Sequence, residues 1–81
     1  MLYVLEMVYN YGQIPNFLFE DLDVAIEVAK DRIKDHYHRI IDFYVEEFDD
    51  RVKIYRPRAY EGGKVIDWIE AAIIIKCEPY A

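Results

Sequence analysis

The residues best suited to catalysis or metal binding are two histidines and one cysteine. His36 and His38 are two positions apart at the end of a predicted helix, which would place them on different faces of it, whereas histidines that share a metal on a helix are three or four apart. We therefore predict that His36 is a partly buried helix residue and that His38 is solvated. The sequence contains no serine or threonine, and Cys77 lies in an apolar segment that favours a buried structural thiol. We expect no catalytic residue, no metal site and no cofactor, and hence a protein that is not an enzyme.

Two short motifs resemble ligand loops but lack the required spacing. The acidic run at 46–50 does not have the alternating carboxylates and glycine of a calcium loop, so we predict a solvated turn. The Gly62-Gly63-Lys64 segment lacks the longer glycine-spaced turn of a phosphate loop and the hydroxyl residue after the lysine. It is predicted to be the turn of a hairpin.

Half of the ten basic residues lie between positions 51 and 64. Arg51, Lys53 and Tyr55 alternate along a predicted strand and therefore share its outer face with Tyr44 of the neighbouring strand. Tyrosine beside arginine suits stacking on a base and binding of a phosphate. Alternatively, these charges pair with Glu46 and the acidic turn. The predicted anion- or nucleotide-binding set comprises Tyr44, Arg51, Lys53, Tyr55, Arg56, Arg58 and Lys64.

Tyrosine is abundant, with eight residues among 81. A small core cannot bury all of them, and exposed tyrosine is typical of protein interfaces. The predicted interface residues are Tyr3, Tyr9, Tyr11 and Tyr60. A small sheet with exposed edges and spare aromatic residues also favours a homo-oligomer.

Length and charge restrict the class of protein. Eighty-one residues predict a single domain spanning 1–81. A net charge of −6 argues against direct nucleic-acid binding, which needs a broad basic face. No apolar run approaches the roughly 20 residues of a membrane span, and the N-terminus lacks the basic region of a signal peptide. The single cysteine indicates a reducing compartment, so we expect a soluble, cytoplasmic protein.

Apolar patterning predicts a strand, a loop and a helix in the first half of the chain. Residues 2–9 are rich in β-branched and aromatic side chains, which favours a strand. Residues 10–19 are predicted to be a loop. Apolar residues at helical spacing then predict a helix at about residues 21–37, with Asp21 as its N-cap.

A hairpin is predicted from residues 40–48 and 51–56, with Asp49-Asp50 as its turn. In this register Glu46 faces Lys53 and Tyr44 faces Tyr55, so that both cross-strand pairs are favourable. The opposite face is then a core face, made of Ile41, Phe43, Val45, Val52 and Ile54.

The final segment, 65–78, fits two structures. Its odd-numbered residues from 65 to 77 are mostly apolar, and its β-branched run at 73–75 favours a strand. The Asp67-x-x-Glu70 spacing instead fits the capping box of a helix. We therefore predict one helix packed on a three- or four-stranded, largely antiparallel sheet in the order β-α-β-β-β, or β-α-β-β-α if the last element is helical.

The N-terminal half resembles small uncharacterised proteins of bacteriophage and bacterial genomes. The matching residues are Tyr3-Val4-Leu5, Phe19-Glu20-Asp21 with Ala25, and Tyr44-Val45-Glu46-Glu47. The resemblance implies no activity and no site residues. Acidity, small size and surplus tyrosine suggest a non-enzymatic interaction protein, such as a phage-type inhibitor or adaptor that binds a protein partner. The alternative is an oligomeric protein that binds an anionic nucleotide through the basic segment 51–64.

Overall fold

A computed structural model of the protein describes residues 1–8, 17–38, 40 and 42–78, which form an α+β fold. The elements are β1 (Leu2–Met7), β2 (Phe17–Phe19), α1 (Leu22–His36), β3 (Tyr44–Glu47), β4 (Arg51–Glu61) and β5 (Lys64–Cys77). The predicted class is confirmed. The predicted strand number is wrong, because the sheet has five strands and the element order is β-β-α-β-β-β.

The strands form a single antiparallel sheet in the order β2-β1-β5-β4-β3. The unexpected strand is β2, which lies in the predicted loop and pairs with β1 so that Leu18 is opposite Val4. Three residues are too few to display the alternation by which a strand is recognised in a sequence. Tyr9, the last residue of the predicted first strand, lies outside the described residues.

Helix α1 agrees with the prediction in position and in cap. The side chain of Asp21 accepts hydrogen bonds from the backbone N–H groups of Asp23 (2.8 Å) and Val24 (3.3 Å), which satisfies two of the free donors of the first turn. Among the described residues, no helix combines the length and apolarity that a membrane span requires.

The core lies between α1 and one face of the sheet. Ala25, Ala29 and Ile33 are the buried residues of the helix, and the two alanines allow its backbone to approach the sheet closely. The sheet contributes Leu5, Met7, Val52, Ile54, Ala71, Ala72 and Ile74. We call the opposite side of the sheet, which faces away from α1, the outer face.

The predicted register of the β3–β4 hairpin is confirmed, with Tyr44 opposite Tyr55 and Glu46 opposite Lys53. The strand is shorter than predicted, since β3 begins at Tyr44 rather than at residue 40. The expected Glu46–Lys53 ion pair is not formed, because Lys53 lies 3.7 Å from Glu70 of β5 instead.

The predicted core face of this hairpin is only partly correct. Val52 and Ile54 are fully buried and Phe43 packs against the core. Val45 is exposed because it lies on the edge strand, and Ile41 lies outside the described residues.

The final segment is a strand, and the helical alternative is wrong. Ala71 interrupts its alternation, because Ile54 pairs with Ala72 while the next residue, Tyr55, pairs with Glu70. This extra residue is a β-bulge, in which two residues oppose one. From Ala72 onward, the even-numbered residues of β5 therefore face the core and the odd-numbered residues face away from it. Ile74 is accordingly buried and Ile75 is exposed. The odd-numbered residues of the segment, although mostly apolar, therefore do not form one continuous core face.

Beyond the bulge, β4 and β5 continue as a two-stranded ribbon. Within the described residues, the pairs of β3 end at Tyr55 and those of β1 end at Ala72. We call residues 56–69 the distal arm. Its turn is Gly62-Gly63, as predicted, and both glycines have positive φ values of 58° and 80° that other residues rarely adopt.

Candidate binding surface

The basic residues at the start of β4 are held by acidic neighbours. Both Nε and Nη2 of Arg51 donate to the Asp50 carboxylate, at 3.2 and 3.0 Å. This hydrogen bond lowers the pKa of Asp50 below its usual value. Lys53 Nζ lies 3.7 Å from a Glu70 carboxylate oxygen. Each of these cations is therefore compensated by an acid in the preceding turn or on the adjacent strand.

The remaining cations are dispersed along the distal arm. The Arg56 guanidinium stacks on the Tyr37 ring, with its central carbon 3.9 Å from the ring centroid. Arg58 lies 3.7 Å from Asp67, and Lys64 has no ion-pair partner within the described residues. The structure does not bring the five predicted cations together around one point.

Three aromatic rings form a cluster on the outer face where the distal arm begins. The Tyr44 ring centroid lies 5.6 Å from that of Tyr55 and 5.9 Å from that of Trp68. These distances are in the range of favourable aromatic pairs. The Tyr55 hydroxyl donates to Glu46 Oε1 at 3.2 Å. We call Tyr44, Tyr55 and Trp68 the aromatic cluster.

Trp68 is the member that the sequence prediction missed. It is a half-buried residue of β5 and lies opposite Pro57 of β4. The bulge changes the register between β5 and β4, so that the alternation of β5 alone does not place Trp68 beside Tyr44. The signal that the sequence did contain is that Trp68 and Glu70 alternate on one side of the predicted strand.

The Tyr55 phenol is expected to ionise above its usual range. Partial burial raises its pKa, and the hydrogen bond to Glu46 raises it further. The folded state therefore keeps a proton that the unfolded state loses near pH 10, and the free energy of unfolding falls as the pH rises above about 10. Chemical denaturation between pH 9 and 11 measures this decline.

In Tyr55→Phe, this decline is expected to be shallower than in the parent protein. Glu46→Gln keeps the phenol but removes the negative acceptor, so its slope should lie between the other two. An unchanged slope in Tyr55→Phe would contradict the assigned pKa direction.

The two predicted interface tyrosines that the structure describes, Tyr3 and Tyr60, lie in different parts of the fold. Tyr3 is half-buried and packs against the core. Tyr60 is 51% exposed in the distal arm, where its hydroxyl lies 3.4 Å from Asp42. Tyr9 and Tyr11 lie outside the described residues. The sequence did not indicate Ile66, which is 58% exposed in the same arm.

His36 and Cys77 differ from their predicted environments, whereas His38 does not. His36 is exposed rather than partly buried, and its ring meets that of Tyr37 edge-on at 4.6 Å. His38 is exposed, as predicted. Cys77 is half-buried, because β5 directs it to the outer face rather than to the core. Within the described ranges, no three His, Cys, Asp or Glu residues are grouped so as to hold a metal ion.

The arrangement offers ring faces and exposed apolar side chains beside paired charges, which suits it to contacts with another molecule. No protein-family model, curated protein or solved structure matches this chain.

Proposed function

We propose that this chain is a small acidic protein without enzymatic activity that binds a protein partner, as an inhibitor or adaptor of the phage type. The observation that carries the proposal is the aromatic cluster at the base of the distal arm. Tyr44 is 47% exposed there, and the distal arm carries two further exposed side chains, Tyr60 and Ile66. Exposed aromatic and aliphatic side chains of this kind mark protein-interaction sites.

The negative net charge of the chain favours a partner with a basic surface. With a net charge of −6, the protein attracts a basic surface over several ångströms and repels other acidic proteins. The partner is therefore expected to present a basic rim around an apolar pocket that receives Trp68 or Tyr44. A nucleic-acid-binding protein offers such a rim, and an acidic inhibitor would then compete with its nucleic acid.

Affinity capture from a bacterial lysate, with quantitative mass spectrometry, tests the proposal. The bait is compared with the double variant Tyr44→Ala/Trp68→Ala and with Val24→Ala, which removes an exposed apolar side chain from the helix instead. The parent and Val24→Ala should recover one partner in stoichiometric amount, and the double variant should lose it. Circular dichroism establishes that all three baits are folded.

Two outcomes would refute partner binding at this surface. One is that the parent recovers no stoichiometric partner. The other is that the folded double variant recovers the same partner in the same amount. Recovery that declines as salt rises would support the electrostatic part of the proposal, because surface charges are screened by salt.

Nucleotide binding through segment 51–64 is the second candidate, and it has less support. Its favourable feature is that tyrosine rings lie beside arginine and lysine, but Arg51, Lys53 and Arg58 already pair with carboxylates. A ligand that saturates the site at 100 times its dissociation constant would stabilise the protein by about 2.7 kcal/mol. Thermal-shift measurements with adenine and guanine nucleotides decide between the candidates, and we expect no shift.

A further inference from the structure

The outer face of the sheet has an aliphatic half and a charged half. Within the described residues, α1 packs only on the other face, and no second layer covers the outer one. The pairing registers arrange its side chains in rows that cross the strands. One row contains Leu18, Val4, Ile75 and Arg51, and the next contains Glu6, Ile73, Lys53 and Glu46.

Glu6 is the unusual member of this surface. It is half-buried in β1 between aliphatic neighbours, and it has no hydrogen-bond or ion-pair partner within the described residues. Ile73 separates it from Lys53, which lies two strands away in the same row. A carboxylate with reduced access to water is stabilised when a cation approaches it.

We propose that a second copy of this chain covers the outer face, packed sheet against sheet, with the two-fold axis running along β5. Rotation by 180° about β5 exchanges the positions of its two neighbours, β1 and β4. Glu6 of each copy then lies opposite Lys53 of the other, so that Lys53 lies between Glu70 of its own chain and the second copy's Glu6. The two copies of Ile73 and Ile75 meet at the centre.

The apolar residues at the ends of the row are complementary under the same rotation. Leu18 of β2, 61% exposed, is placed opposite Phe48 of the second copy, 41% exposed. Phe48 follows β3 and is fixed beside β4 by its backbone N–H, which donates to the Arg51 carbonyl at 2.7 Å. Both side chains would lose exposed apolar surface on association, which is favourable.

The charges also exclude the other face-to-face arrangement. In that arrangement the two-fold axis would run perpendicular to the strands. Each strand would then lie over the same strand of the second copy, with the first row of one copy over the second row of the other. Lys53 would then lie opposite Arg51 of the second copy, and two cations would face each other, which costs free energy. The axis along β5 avoids this contact. It also directs both distal arms to the same end of the dimer.

The area of the face indicates a weak dimer. Strands lie about 4.8 Å apart, and outward-facing rows are separated by about 7 Å. The outward-facing positions of the two rows, together with Leu2 and Cys77, therefore cover about 400 Å² in each copy. The total of about 800 Å² lies below the range of standard specific interfaces, as is typical of weak and transient association. Dimerisation must accordingly be measured at protein concentrations from about 10 to 500 μM.

Chemical cross-linking distinguishes the proposed arrangement from other dimers. The chain has a single cysteine, Cys77, which lies opposite Leu2 on the outer face of β5. The axis along β5 places the two copies of Cys77 opposite each other, within reach of a short bismaleimide that spans the roughly 10 Å between stacked sheets. We expect a covalent dimer whose yield increases with protein concentration. Moving the cysteine to the helix, in Cys77→Ala/Val24→Cys, should abolish it.

Sedimentation equilibrium of charge variants tests the contact itself. Glu6→Lys should raise the dimer dissociation constant by about tenfold or more, because it faces Lys53 of the second copy. The double variant Glu6→Lys/Lys53→Glu should recover part of this loss. Ile75→Glu should prevent dimerisation, whereas Val24→Glu, an equally drastic change on the helix, should not.

Three results would overturn the proposal. They are a monomer throughout this concentration range, a dimer that gives no Cys77 cross-link, and a Glu6→Lys variant that associates like the parent. Because none of these variants alters the aromatic cluster, a failed dimer and a failed partner capture remain separate results.

Discussion

Ile74→Ala is expected to lower the free energy of unfolding by about 3 kcal/mol, whereas Ile75→Ala is expected to lower it by less than about 1 kcal/mol. The two isoleucines are adjacent in β5 and lose the same atoms on substitution. Ile74 is fully buried between β1, β4 and α1, but Ile75 is 36% exposed on the outer face. Only the first substitution leaves a cavity in the core.

Urea denaturation of the parent and the two variants measures both effects. An 81-residue domain has a total stability of about 4–12 kcal/mol, so the loss at Ile74 is a large fraction of it. The comparison is made at low protein concentration, where dimer formation does not add to stability. A larger loss for Ile75→Ala than for Ile74→Ala would mean that β5 presents its odd-numbered residues to the core.

The helix and the β3–β4 hairpin were predictable because local signals agreed with each other. The apolar stripe of α1 and the cap at Asp21 indicate the same boundaries. In the hairpin, one register matches Tyr44 with Tyr55 and Glu46 with Lys53, and a slip of one residue would turn every side chain to the wrong face. Both signals require only residues that are close in sequence.

The orientation of β5 was not predictable from its own residues. Three consecutive isoleucines at 73–75 make both faces of the strand apolar, so the sequence does not indicate which face is buried. The bulge at Ala71 is visible only once Ile54 and Tyr55 of β4 are placed against β5. The same missing register explains why Lys53 was assigned to Glu46 rather than to Glu70.

The candidate surface was predicted in composition but not in arrangement. Tyrosine surplus indicated exposed rings, and Tyr44, Tyr55 and Tyr60 do lie at or near the distal arm. Charge pairing of Arg51, Lys53 and Arg58 depends on contacts with Asp50, Glu70 and Asp67. Glu70 and Asp67 belong to β5, and the register between β5 and β4 cannot be predicted from either strand alone.

Deletion of the fully buried Ala71 is expected to destabilise the protein less than deletion of the half-buried Lys53. Ala71 is only 2% exposed, yet it is the extra residue of the bulge. Without it, Glu70 and Ala72 become adjacent and can remain opposite Tyr55 and Ile54 in a regular ladder. We expect this deletion to cost about 1–2 kcal/mol and to leave the protein folded.

Deletion of Lys53 is expected to unfold the protein, although its side chain is not part of the core. Val52 and Ile54 are buried on either side of it. When they become adjacent, one of them must turn to the outer face, because side chains alternate along a strand. Lys53→Ala removes the side chain and keeps the register, so its cost should be below about 1 kcal/mol. Circular dichroism and urea denaturation compare the three variants. If the deletion of Ala71 and the deletion of Lys53 cause the same loss of structure, the bulge is required for the fold.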